Sequence, residues 1–195
     1  MQDCLLDTAP ESAFDDLTAL AAGLCGTPVA CISLVDWSRQ WFKSRIGLEC
    51  QETAREVAFC AHAILNKHEV MEVADASLDP RFAENPRVTS DPNIRFYAGA
   101  PLVTPDGFAL GTLCVIDSQP RTLSEKQKAA LHRLSRPAMA QLEFRRQVQQ
   151  MIHGERIPDE FEHLLRATEV GGRLVAAEEG YRVTARSLVV LRALK

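Results

Sequence analysis

The sequence predicts an α+β domain built on an antiparallel sheet, and three observations carry that reading. Ile94 to Asp117, IRFYAGAPLVTPDGFALGTLCVID, sets two apolar runs on either side of Thr104-Pro105-Asp106-Gly107. Proline presets one turn position and glycine supplies a positive φ, so the stretch is composed as a hairpin. Val29 to Asp36, VACISLVD, is apolar on both faces and predicts a central strand lying beside that hairpin. Apolar residues recur at helical spacing only before and after the strands, from Phe14 to Leu24 and again beyond Ser124.

The elements follow in chain order. Asp7-Thr8-Ala9-Pro10-Glu11-Ser12 supplies capping oxygens and an N-terminal proline to a first helix whose apolar face is Phe14, Leu17, Leu20, Ala21 and Leu24, and Gly26 ends it. Arg39 to Gly47 is more polar and predicts a second strand nearer an edge, joined to Val29–Asp36 by a short turn. Trp37 and Trp41 lie close to that turn and suit packing in a core or at a dimer contact better than cofactor stacking. Residues 48 to 57 read as a charged, irregular loop. Phe59 to Asn66, FCAHAILN, predicts a short helix and Val70 to Asp75 a brief strand. Asp79 to Glu84 then predicts a helical turn that Asn85-Pro86 ends. Gly99 and Gly111 interrupt the central hairpin, which points to a bulge or bend or, less strongly, to close approach of a helix or ligand. Ser124 with Gln127 forms a capping box for a long helix reaching about Met151, kinked at Pro137. Its Leu131, Leu134, Ala138, Gln141, Arg145, Val148 and Ile152 make a degenerate heptad.

Length and composition bound the function. The 195 residues suit one domain over 1–152 and an extension over 153–195. In the extension, Arg173 to Ala177 and Tyr181 to Leu194 flank Glu178-Glu179-Gly180 as a second hairpin, preceded by a short helix from Pro158 to Arg166. A net charge of −4 leaves no basic footprint for nucleic acid. No apolar run reaches the ~20 residues of a membrane span, and the N-terminus has no basic start followed by an apolar stretch, so a cytoplasmic protein is expected. Six cysteines, at 4, 25, 31, 50, 60 and 114, include no C-x-x-C and are read as reduced and mostly buried.

FYAGAPLVTPDG followed by LGTLCVID, together with SLVDWSRQWFKSRIGL, FCAHAIL and DPRFAENPRV upstream, resembles a GAF domain of bacterial signalling proteins over about residues 5 to 150. The resemblance implies a GAF-like six-stranded antiparallel sheet with helices on both faces. It implies a non-catalytic sensory module that binds a small ligand or senses redox state, forms a homodimer, and passes its state through terminal helices to a separate output protein. The family pattern places Phe59, Cys60 and His62 of the short helix around a cavity. Asp79, Arg81 and Asn85 of the covering segment and Arg95 and Tyr97 of the entering strand complete the set. Their aromatic, thiol, imidazole and guanidinium groups together suit a small anionic or cyclic ligand. Taken singly, Asp79 could cap its turn, Asn85 end it, and Arg81 or Arg95 pair with Asp75 or Glu84.

Some GAF domains hold bilins at a Cys-His pair, but Ala61 separates Cys60 from His62, so no bilin is expected and the ligand stays unidentified. Two positions apart on a helix point about 200° apart, which also excludes the pair as metal ligands. Another GAF-like group reduces free methionine sulfoxide with paired cysteines, and the cysteines here do not align with that pattern. Neither Gly-x-Ser-x-Gly, H-E-x-x-H nor a phosphate-cradling glycine loop occurs. No catalytic residue is therefore expected; a cysteine-dependent reductase and a ligand-free dimerisation scaffold are the alternatives. The ending YRVTARSLVVLRA resembles the last strands of the C-terminal β-domain in amylase-family glycogen-debranching enzymes over about forty residues, without a catalytic barrel before it.

Overall fold

Alternation along the strands gives each one two chemically different faces, and the computed structural model shows both faces covered. It describes residues 5–152, 174–175 and 182–183. Helix α1 (Ser12–Cys25) leads into strands β1 (Val29–Val35), β2 (Arg39–Ile46) and β3 (Glu52–Ala54). A single 3-10 turn (Arg55–Val57) and the short helix α2 (Phe59–Ala63) precede β4 (Met71–Val73) and α3 (Pro86–Thr89). The hairpin β5 (Phe96–Val103) and β6 (Ala109–Asp117) then runs into the long helix α4 (Glu125–Ile152). Strand order is β3-β2-β1-β6-β5-β4, antiparallel throughout. The central hairpin and its neighbour β1 lie where the sequence predicts, with Gly107 at φ 86° in the turn.

One face of the sheet presents Ile32, Leu34, Trp41, Phe96, Ala98, Leu102, Leu113 and Val115 to Phe14, Ala21, Leu131, Ala138 and Leu142 of the two long helices. The other presents Cys31, Val35, Phe42, Tyr97 and Cys114 to Phe59, Cys60, Ala63, Phe82, Val88 and Ile94. Trp41 is thus a core residue and Trp37 is 89% exposed.

Several local expectations are corrected. The presumed loop 48–57 contains the edge strand β3, because Arg39, Gln40 and Trp41 of β2 pair with Ala54, Thr53 and Glu52. Asp79–Glu84 forms turns, not helix, and Asn85 begins α3 instead of ending a helix: its side chain accepts the Arg87 N–H at 2.9 Å as an N-cap. Helix α2 stops at Ala63. Leu20 and Leu24 of α1 are half-exposed, and Thr18 takes the core-facing position because its hydroxyl bonds the Phe14 carbonyl at 2.9 Å and Ser44 of β2 at 2.9 Å. No side chain caps the start of α1. Glu11 there binds Lys43 instead, while the α4 capping box forms through Ser124 and Gln127.

Lys43 explains why β2 is polar without being an edge. Its fully buried ammonium donates to Thr8 Oγ1 at 2.9 Å and the Ala9 carbonyl at 2.8 Å, pairs with Glu11 and lies 5.0 Å from the centre of the Phe14 ring. Lys43→Met keeps the apolar stem and loses these bonds; it is expected to cost about 1–2 kcal/mol and to speed amide exchange over residues 8–12. Unaltered exchange there would show that Lys43 does not hold this segment.

The chain divides into two compact units, Met1–Phe144 and Arg145–Lys195, with the division falling inside α4, which continues through Pro137. In the second unit Leu174 and Val175 pair antiparallel with Val183 and Arg182, two short strands, β7 (Leu174–Val175) and β8 (Arg182–Val183), within the predicted C-terminal hairpin. The predicted helix from Pro158 to Arg166 lies outside the described residues.

Candidate functional site

The face carrying α2 is where polar and aromatic groups are buried together. Phe59 stacks on Phe82 with ring centres 4.1 Å apart and on Tyr97 at 5.3 Å, forming a three-ring column. His62 meets the Phe82 ring edge-on at 4.8 Å, and the Arg81 guanidinium lies over that ring at 5.0 Å. Arg81 also grips Asp79, whose Oδ1 accepts from Arg81 N–H and Nε at 2.9 Å and whose Oδ2 accepts from Nη2 at 2.6 Å. These bonds hold the Asp79 carboxyl below its ordinary range.

Beneath the column lies a buried cluster of sulfur and hydroxyl groups. Cys60 Sγ accepts from Thr112 Oγ1 at 3.0 Å and from the Tyr97 hydroxyl at 3.3 Å. Cys114 Sγ lies 3.8 Å from Cys60 Sγ and 3.2 Å from Cys31 Sγ, its cross-strand partner. Ser33 and Thr112 hydroxyls meet at 3.2 Å. Burial drives the Cys60 thiol and the Tyr97 phenol well above their ordinary values; the bond to Cys31, with burial, does the same for Cys114. The space for Tyr97 comes from Gly99: a Cβ there would stand 2.1 Å from the Tyr97 hydroxyl. The glycine is explained by the ring lying along its own strand.

A cleft opens beside this cluster, lined by Gln40, Phe42, Leu48, Thr53, Val57, Ala58, Phe59, Cys60, Arg87, Ile94, Tyr97 and Ile116. It encloses about 330 Å³ with its solvent mouth included, and only about 20 Å³ admits the centre of a water molecule. That suffices for a water or one ligand group of that size. Gln40 Oε1 and Thr53 Oγ1, buried on paired strands β2 and β3, have no hydrogen-bond partner among the described residues.

Of the eight residues selected from sequence, Phe59, Cys60 and Tyr97 line the cleft. His62, Asp79 and Arg81 gather around Phe82 outside it. Asn85 caps α3 and donates from Nδ2 to the Val57 carbonyl at 3.1 Å. Arg95 Nη1 donates to the Val88 and Ile94 carbonyls at 2.8 and 3.1 Å, strapping α3 to the start of β5. Gln40, Thr53 and Arg87, which also line the cleft, were not among the residues selected from sequence. Among the described residues no group of three or more His, Cys, Asp or Glu is placed to hold a metal.

A six-stranded antiparallel sheet between two long helices and a short-helix cover defines a sensor-type α+β domain. The GAF domain from the Acinetobacter phosphoenolpyruvate-protein phosphotransferase superposes with a TM-score of 0.60, at 19% identity, over 75% of this chain and 90% of that one. The free methionine-R-sulfoxide reductase from Neisseria meningitidis superposes with a TM-score of 0.56 at 19% identity, over 69% of this chain and 78% of the reductase. The GAF domain family model matches residues 9–142, and the chain belongs to the GAF domain family. It is also 50% identical over 139 residues to a cyclic di-GMP phosphodiesterase of Pseudomonas aeruginosa. That match takes in 71% of this chain and 24% of the relative, so the chain spans about a quarter of the relative's length.

Proposed function

We propose that this chain is a non-catalytic regulatory module that takes up a small ligand at the α2 face of its sheet and passes the bound state to an output through its terminal helices. The observation that carries this reading is the 50% identity to a segment making up only a quarter of a cyclic di-GMP phosphodiesterase. A segment of that proportion in a signalling enzyme suits a controlling part, and the cleft supplies a place for what it senses. Cyclic di-GMP turnover is the output we assign to such a system, in the cytoplasm. The alternative of a cysteine-dependent reductase is disfavoured by the thiols themselves: Cys60 and Cys114 are fully buried and their raised pKa keeps them protonated at neutral pH, whereas such chemistry needs an exposed thiolate.

Native mass spectrometry of the chain purified from its own host is expected to show a retained small molecule that denaturation releases. A mass equal to the polypeptide alone, together with methionine sulfoxide turnover that disappears in Cys60→Ser, would replace this reading with the reductase. The same reading includes a two-fold dimer through the terminal helices. Sedimentation equilibrium should report a dimer for the full chain, and a monomer would remove that part.

A further inference from the structure

Strand β4 has three residues, and its alternation divides them between the two layers that cover the sheet. Val73, 2% exposed, belongs to the cluster of Phe59, Phe82 and Tyr97, and Met71 packs against the same cluster. Glu72, between them, turns to the opposite layer. Its Oε1 accepts the Leu123 N–H at 2.9 Å and its Oε2 pairs with Lys128 Nζ at 2.6 Å. One carboxylate thus holds both the residue before the Ser124 cap and the first turn of α4. The Ala74 carbonyl adds a bond from the Arg121 N–H at 3.0 Å. On the cover side, the Ala76 N–H donates to the Arg95 carbonyl at 2.6 Å, and Arg95 straps α3. A carboxylate at a helix N-terminus is favoured by the unpaired N–H groups and the helix dipole, so Glu72 bears on whether the first turn of α4 holds. The strand that carries it is weakly held: β4 lies at the sheet edge and joins β5 through three pairs, Met71 with Gly99, Glu72 with Ala98 and Val73 with Tyr97.

We propose that Glu72 is a coupling residue, through which a displacement of the layer formed by α2 and Phe82 reaches the first turn of α4. When that layer shifts, Met71 and Val73 follow it, β4 tilts on its three pairs, and the carboxylate between them is drawn off Leu123 and Lys128. The first turn of α4 then loses an N-terminal anion and an ion pair at once and opens more often. This deepens the regulatory reading above by naming the route from the α2 face to the terminal helix, and it rests on that reading for the ligand that moves the layer. Glu72 is a positioning residue, placed on the α4 side of the sheet.

Amide exchange of the full chain, followed residue by residue by NMR, tests the coupling without any ligand. Glu72→Gln keeps the length of the side chain and removes its charge. Exchange over residues 128–131 is expected to quicken about fivefold in this variant, while the amides of the central strand β1 exchange as in the parent. Lys128→Met cuts the same pair from the other side and should act alike. Val73→Ala withdraws two methyl groups from the contact between β4 and the cover. It should quicken residues 128–131 about threefold in the parent and add nothing in Glu72→Gln. A merely structural loss would quicken β1 and α4 together, so every rate is read against β1. Met71→Ala repeats the cover-side cut if Val73→Ala misfolds. The proposal is overturned if these cover-side variants leave residues 128–131 unchanged relative to β1, or quicken them equally in the parent and in Glu72→Gln. A host-derived ligand retained alongside either of those results overturns this route and leaves the regulatory reading standing. Coupled exchange in a protein that retains no ligand upholds the Glu72 joint and removes the ligand-uptake reading.

Discussion

Gly111→Ala is expected to lower the melting temperature by on the order of 10 °C, a loss of about 3–5 kcal/mol. Gly111 lies in β6 between Leu34 of β1 and Leu102 of β5, at the middle of the sheet. A Cβ built there would stand 1.8 Å from the Ser33 carbonyl oxygen and 2.9 Å from Leu34 Cα. Both are backbone atoms of a paired strand, so no rotamer change relieves the contact; β1 and β6 must separate. The damage should reach the cleft side as well, because Ser33 and Thr112, which bond each other and Cys60, flank the clash. Gly23→Ala is the internal control. Gly23 is exposed in α1 with nothing within 4 Å of a new Cβ, so alanine should raise stability by about 0.5–1 kcal/mol through helix propensity and a less flexible unfolded chain. Thermal melts of the two variants decide the matter: a Gly111→Ala protein melting like the parent would mean that the central ladder accepts a side chain and that the glycine serves something else.

That glycine also shows how far the sequence could be read. A glycine in an apolar strand announces close approach, and a bulge, a helix or a ligand was the range of expectation; the neighbour is the backbone of β1 at Gly111 and the Tyr97 ring at Gly99. Sequence alone cannot choose among these, because the register of β1 on β6 is a tertiary fact. The central strands were legible since continuous apolar runs leave little choice of state, and the α4 capping box since its partners are three residues apart. Strand β3 was hidden for the opposite reason. Glu52–Ala54 has three residues and one buried side chain, and its pairing with β2 supplies what its composition does not. Asn85-Pro86 shows a third limit, since the same dipeptide can close one turn or open a helix, and the choice rests on whether Asn85 Oδ1 finds an N–H ahead of it, as it does at Arg87. The site divides in the same way. The family pattern led to Phe59, Cys60 and Tyr97, which line the cleft, whereas Gln40 and Thr53 become conspicuous only when their partners are sought in three dimensions.

Alkaline pH is expected to unfold this domain steeply, and the buried thiols set where. Cys60, Cys114 and Tyr97 are 1%, 0% and 0% exposed, and each is pushed well above its ordinary value, Cys60 and Tyr97 chiefly by burial and Cys114 by its bond to Cys31. The folded state therefore keeps protons that the unfolded chain releases, from 9.0 for the thiols and 10.0 for the phenol. Stability from these groups is fully present below those unfolded-state values and is lost as pH rises toward the folded ones. While the folded forms stay protonated, each group whose unfolded form is ionised contributes a slope of about 1.4 kcal/mol per pH unit, so stability should fall with rising pH above the thiols' unfolded value, with Tyr97 adding to the decline at the upper end. Urea unfolding measured between about pH 8 and 10.5 should show this decline, and Cys60→Ala or Cys114→Ala should each reduce the slope by the share of one group. A stability constant across that range would mean that the thiols ionise inside the fold, and they would then be available as nucleophiles at a pH where the fold persists. The same protons bear on function, for a thiol that must unfold its domain to ionise cannot turn over a substrate. Among the described cysteines Cys50 is the least buried, so of these five it should be alkylated first in the native protein, with Cys31, Cys60 and Cys114 unmodified until the alkaline transition.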